Sequence, residues 1–239
     1  MANSLSQWNK VLGSILEIPG AKVNRAKFLE GEFRKYCDEF NINGIISEGK
    51  APYEVVSVTT LNKIADKRID YYSRIASSIS FFTGLPGGFT MLAALPADMI
   101  QYYFYLFKIA QELAYLYGFH DFCDENGQLT ERSLNTLTIL IGVMTGDAIK
   151  VTGLKTISSV ALEQMPKVLF YKIAKEIAVM LGVKLSTRSV VKGFSSAIPI
   201  LGGVASSLIT RYSFKPSTLR LKKRLEADFN NQQAKQSTK

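Results

Sequence analysis

Apolar positions recur at spacings of three and four along most of the chain, the mark of amphipathic helices, and β-branched runs are short, as at Val55-Val56-Ser57-Val58-Thr59-Thr60. The pattern predicts an all-α fold. A first helix is predicted over Leu5–Glu17, stopped by Pro19-Gly20. A second fits Arg25–Phe40, with Asn24 as N-cap and Phe28, Phe33, Tyr36 and Phe40 as apolar positions. Asn41–Tyr53, holding Gly44, Gly49 and Pro52, reads as a loop. A third helix fits Leu61–Phe82 behind Thr60 as its cap, and the turn Gly84-Leu85-Pro86-Gly87-Gly88 follows, which no helix interior tolerates.

Thr90–Tyr117 is predicted as a long helix that Pro96 kinks or restarts and Gly118 ends. His120–Gln128 is an acidic turn. Thr130 or Ser133 caps a helix reaching about Met144, and Leu154–Leu162 is weakly helical. Pro166–Leu181 is a further helix, ended by Gly182. A helix opened by Ser186 and Ser189 is expected to break at Pro199 and Gly202-Gly203, and Ser217 to cap a last basic helix, Thr218–Phe229. The organisation expected is one multi-helix domain: N-terminal helices and a loop over 1–60, a helical domain over 61–229, and a disordered polar tail over 230–239.

Within this pattern one segment occurs twice. Lys108–Gly118 and Lys172–Gly182 share K-I-A-x-E-[L/I]-A-x-x-x-G at an offset of 64, and Leu129–Leu134 matches Leu185–Val190 after it. Ile109, Leu113, Leu116 and Tyr117 form an apolar face, as do Ile173, Ile177, Met180 and Leu181. Ala110, Ala114 and Gly118, with Ala174, Ala178 and Gly182, give stripes of small residues that permit close helix approach. Lys108 and Glu112 are expected to pair at i,i+4. Both copies read as scaffold.

Two stretches lack charge altogether: Ile75–Ala97, of 23 residues, and Gly193–Thr210, of 18. Each is long enough to span a bilayer. Pro86, Gly87, Gly88 and Pro96 break the first, and Pro199, Gly202 and Gly203 the second, so two buried hairpins are favoured over regular spans.

Charge changes this picture more than composition does. The chain of 239 residues carries a net charge of +9, and nine basic residues lie between Ile177 and Leu225, where there is no Asp or Glu. Among them, Lys192, Arg211, Lys215, Arg220, Lys222, Lys223 and Arg224 are the candidates for contact with an anionic membrane surface or an acidic protein partner. Nucleic acid ranks lower, because no recognition signature accompanies the charge. Two cysteines, Cys37 and Cys123, give no disulfide framework, and the N-terminus lacks a signal-peptide pattern, so a cytoplasmic location is expected.

Candidate chemistry is sparse. His120 is the one histidine, which excludes a multi-His zinc site. Asp121–Leu129 has the look of a calcium loop, but with Gly127 at the sixth position Phe122 and Ser133 fall where ligands are needed, so it reads as a polar turn. Gly84–Gly88 lacks the Lys-Ser/Thr ending of a phosphate loop. Asp98, set between Ala97 and Met99, is either a helix-start residue or the polar group of a ligand site. No cofactor or metal is implied. The structural turns singled out are Gly84, Pro86, Gly87, Gly88, Gly118, Gly182, Gly202 and Gly203.

The run from Gly84 through Pro86, Gly87, Gly88 and Pro96 to Asp98, continuing to Leu116-Tyr117-Gly118, resembles the EcsC protein family of bacteria, as does Ile198-Pro199-Ile200-Leu201-Gly202-Gly203 before a basic helix. The resemblance covers roughly 61–229. It implies a bacterial, helical, cytoplasmic-side protein that works at the membrane, in a family named from a gene beside an ABC transporter operon linked to secretion; it supplies no catalytic residues. The expectation is therefore a non-enzymatic, membrane-associated accessory or regulatory protein, peripheral or conditionally inserted at the inner face. A ligand-binding or enzymatic site around Gly84–Asp98 and a membrane-inserting protein built on the apolar hairpins are the alternatives.

Overall fold

The structure is a computed structural model and describes residues 8, 12–13, 15–37, 39–47, 51–76, 97–146, 157–158, 162, 168–169, 171–175, 177 and 199–236; at 39–41, 47, 97–100, 199–212 and 232–236 it describes the backbone alone. Among the described residues the regular elements are helices, and the single β-bridge joins Cys123 to Leu129. The all-α expectation holds.

Helix α1, Arg25–Phe33, is capped by Asn24, whose side chain accepts from the Lys27 amide at 2.8 Å. It stops well short of Phe40, in a turn where the Phe33 carbonyl accepts from the amides of both Tyr36 and Cys37, at 2.8 and 3.1 Å. Helix α2, Glu39–Ser47, then occupies much of the stretch expected as loop. Burial of Ile42 and Ile45 outweighs the roughly 1 kcal/mol that Gly44 costs inside a helix. A 3-10 turn, Pro52–Glu54, leads to α3, Val58–Ile75. Ser57 caps α3, accepting from the Thr60 amide at 3.2 Å, so Thr60 lies in the first turn rather than before it. Leu61, Ile64, Ala65, Ile69 and Tyr72 form its buried face.

Helix α4, Ala97–Leu116, is the centre of the fold. From Gln101 to Tyr117 every residue except Lys108 is buried, as expected of a helix enclosed on all sides. Gly118, at φ +90°, ends it as the sequence predicts. The Phe119 amide reaches the Ala114 carbonyl at 3.0 Å and the Gly118 amide the Tyr115 carbonyl at 3.2 Å, which together satisfy the last turn. Asp98 lies on the backbone of α4 just after Pro96. Gly84, Pro86, Gly87, Gly88 and Gly182 lie outside the described residues.

Helix α5, Glu131–Thr145, is capped by Thr130, which accepts from the Ser133 amide at 3.1 Å, and closed by Gly146 at φ +91°. The turn before it is the polar turn expected: one Asp124 carboxylate oxygen accepts from the amides of Asn126 and Gln128 at 2.9 and 2.8 Å.

Helix α6 corrects the sequence reading most. It runs unbroken over Pro199–Gln236, through Gly202, Gly203 and Pro216, and continues past Phe229 into the stretch expected to be disordered. Pro216 has no amide to donate to the carbonyl four residues before it, yet burial of Phe214, Thr218 and Leu221 around it holds the helix, and Ser217 donates to the Ser213 carbonyl at 2.7 Å and Thr218 to the Lys215 carbonyl at 2.8 Å. Ser217 is thus a mid-helix residue and not a cap. Phe214, Leu221, Leu225 and Phe229, all buried, hold this helix against α3, α4 and α5.

The N-terminal segment closes the core. Trp8 is fully buried, donates to the Thr138 hydroxyl at 3.2 Å, and meets the Tyr103 ring edge-on at 6.0 Å.

Candidate functional site

Burying a charge is tolerated only with a partner, so the enclosed ionisable groups are the first place to seek chemistry. Glu112 of α4 is 3% exposed. Arg68 of α3 grips it with both sides of its guanidinium, Nε–Oε2 at 2.7 Å and Nη2–Oε1 at 2.9 Å, and the Tyr72 hydroxyl donates to Oε1 at 2.6 Å. Glu32 of α1 adds a longer contact to Arg68, at 3.5 Å. Phe28, Tyr71 and Tyr72 stack around the guanidinium, with centroids 5.9, 4.9 and 5.1 Å away. Burial alone would lower the Arg68 pKa, but the Glu112 carboxylate more than offsets it, and the guanidinium stays charged. Burial, and then Glu112, push the Tyr72 hydroxyl well above the usual phenol range.

The Lys108–Glu112 pair expected along α4 is displaced by this arrangement. Arg68 presents a planar fork that fits a carboxylate, whereas Lys108 points to the Phe104 ring, 5.7 Å from its centroid. Desolvation lowers the Lys108 pKa. With every carboxylate oxygen and guanidinium face engaged, the cluster is a fastening of α3 onto α4.

Helices α3 and α6 meet along a second charged seam. Lys222 contacts Asp66 at 2.7 Å and Lys215 contacts Asp70 at 2.6 Å. Arg224 holds the buried Asp228 at 3.0 Å, and Asp228 also accepts from the Ile157 amide at 2.8 Å. The Arg220 guanidinium donates to the Met144 carbonyl at 2.6 Å, satisfying the C-terminal end of α5. Four of the basic candidates therefore have internal work. Lys223 is exposed on α6. Arg211 lies on the backbone of α6, and Lys192 is outside the described residues. The acids that answer Lys215 and Lys222 come from α3, far away in sequence, and Asp228, which answers Arg224, lies just past Leu225, which is why an acid-free count of 177–225 could not show them.

A cleft of about 280 Å³ opens where α4 ends. Arg25, Tyr53, His120, Ile157, Asp228 and Phe229 contribute to its wall. Its enclosed charges are structural: Arg25 Nε donates to the Phe119 carbonyl at 3.1 Å, and Asp228 is held as above. His120 is exposed. Among the described residues no group of three or more His, Cys, Asp or Glu is arranged to hold a metal ion.

No family model, no curated protein and no solved structure matches the chain. Among the described residues, no helix is long and apolar enough to cross a membrane. Residues 199–210 of the charge-free stretch at Gly193–Thr210 belong to α6, while most of Ile75–Ala97 lies outside the described residues.

Sequence reasoning missed two anchoring residues on α4. Gln111, fully buried, accepts from the Val23 amide at 3.0 Å and donates to the Ala21 carbonyl at 2.9 Å, pinning the N-terminal segment across the helix. Tyr115 donates to the Val23 carbonyl at 3.2 Å. A glutamine and a tyrosine four apart on a helix of mostly apolar and aromatic residues were the available signal.

Proposed function

We propose that this protein is a non-enzymatic, helical accessory protein that binds peripherally to an anionic membrane surface from the cytoplasmic side. The observation that carries the reading is the charge excess, 29 Lys and Arg against 20 Asp and Glu, weighted toward the C-terminal third. An excess of this size attracts an anionic leaflet through several lysines at once. The enclosed ion pairs support the non-enzymatic half of the reading, since Glu112, Arg68 and Asp228 are each engaged by protein groups. The resemblance of Gly84–Asp98 and Ile198–Gly203 to the EcsC family supports the membrane half, and with it a regulatory role beside a transporter or secretion system.

Sedimentation with vesicles tests the proposal. The protein is expected to pellet with vesicles containing phosphatidylglycerol at low salt, to be released by high salt, and to stay in solution with phosphatidylcholine alone. Absence of binding to anionic vesicles at every salt concentration overturns it.

A further inference from the structure

The two copies of the duplicated helix have the same inner face and opposite outer faces. Inward, Ile109 and Ile173 are 0% exposed, Ala110 and Ala174 are 0% exposed, and Leu113 and Ile177 are 0% and 2% exposed. The described residues of 168–177 are all helical, so the register is shared as well as the letters.

Outward, the first copy is covered. Phe104, Phe107 and Gln111 are buried, Lys108 is half-buried, and the N-terminal segment is bonded across them through Gln111. The same register 64 residues later holds Val168, Tyr171, Lys172 and Lys175. Val168 is 63% exposed and Tyr171 is 52% exposed, and both lysines are exposed. At helical spacing these four fall within an arc of about 100°, opposite Ile173, Ala174 and Ile177. Around the helix Val168 falls between Lys175 and Lys172, and Tyr171 stands at the edge of the arc beside Lys175.

We infer that this outer face of the second copy is the surface by which the protein sits on an anionic bilayer. The inference rests on the membrane reading above and names its contact. Tyr171 has the amphipathic ring that settles at the headgroup level, Val168 supplies apolar area beside it, and Lys172 and Lys175 meet lipid phosphates with their stems along the interface. The face differs from the α6 cations on which the sequence directed attention, because Lys215, Lys222, Arg220 and Arg224 already hold protein partners.

The test is vesicle sedimentation of the full chain carrying Lys172→Glu and Lys175→Glu, against a control carrying Lys35→Glu and Lys63→Glu, which changes net charge equally at two other exposed lysines. All four positions are at the surface, and circular dichroism verifies that both variants stay helical. The Lys172/Lys175 variant is expected to lose at least about tenfold in partition onto phosphatidylglycerol vesicles, and the control to lose less than about threefold. Val168→Ser with Tyr171→Ser is expected to weaken binding at unchanged net charge. If wild type binds and the Lys172/Lys175 variant binds no worse than the control, this face is wrong and the membrane reading stands. If wild type binds no vesicle, both fall, and an acidic protein partner takes the surface instead.

Discussion

Arg68 and Glu112 join α3 to the central helix through two near-parallel contacts, at 2.7 and 2.9 Å, inside a ring of Phe28, Tyr71 and Tyr72. The partners are 44 residues apart in sequence, so the pair fixes the relative placement of two helices that no local signal could set. Removing one side leaves the other charged and enclosed. Glu112→Ala should cost about 3–5 kcal/mol in urea unfolding. Arg68→Met in the Glu112→Gln background, which removes both charges together, should recover a large part of that loss.

Alkaline pH should unfold the protein. Burial raises the hydroxyl pKa of Tyr72, Tyr103, Tyr115 and Tyr117, with Glu112 adding to the effect at Tyr72. In the unfolded chain these groups release their protons near pH 10, while the folded protein keeps them. The folded state then binds more protons, so stability falls as pH rises above about 10. Absorbance at 295 nm should show a group of tyrosines that ionise only together with loss of helical circular dichroism. Normal, independent titration of all eleven tyrosines would contradict this.

Two glycines should respond oppositely to alanine. Gly118 has φ +90°, and a Cβ there would stand 3.3 Å from Tyr53 Cε1, so Gly118→Ala should destabilise by about 1–2 kcal/mol. Gly31 sits in α1 with open space around it, and Gly31→Ala should stabilise by about 0.5–1 kcal/mol. Thermal unfolding of the two variants checks the contrast.

The outer pair of the seam between α3 and α6, Lys215 with Asp70, should matter little to stability. Lys215 and Asp70 are each about half exposed, at 49% and 53%, so water and salt screen their attraction. Lys215→Ala should cost less than about 1 kcal/mol, and less still in 0.5 M salt.

The helices legible from sequence were those with local stop and start chemistry. Asn24, Thr130, Gly118 and Gly146 act within a turn of their own position; the structure uses Asn24 and Gly118 as the sequence predicts, and of the two caps expected for α5, Thr130 or Ser133, it uses Thr130. Errors arose where tertiary burial overrode a local signal. Gly44 lies inside α2 because Ile42 and Ile45 are buried beside it. Pro216 lies inside α6 because Phe214 and Leu221 are buried on either side of it. The duplication was legible as letters, and so was its inner face. Its outer face was not, since the same register is covered by Ala21 and Val23 in one copy and carries the exposed Val168 and Tyr171 in the other.

Fluorescence of a Tyr171→Trp variant tests the proposed membrane face most directly. Trp8, the one natural tryptophan, is fully buried and supplies a constant background. On phosphatidylglycerol vesicles the emission from Trp at 171 should shift to the blue and be quenched by lipids brominated near the headgroup, with iodide in the water losing access to it. If the protein pellets with those vesicles while this emission keeps its wavelength in buffer and its full sensitivity to iodide, the second copy of the helix does not face the bilayer.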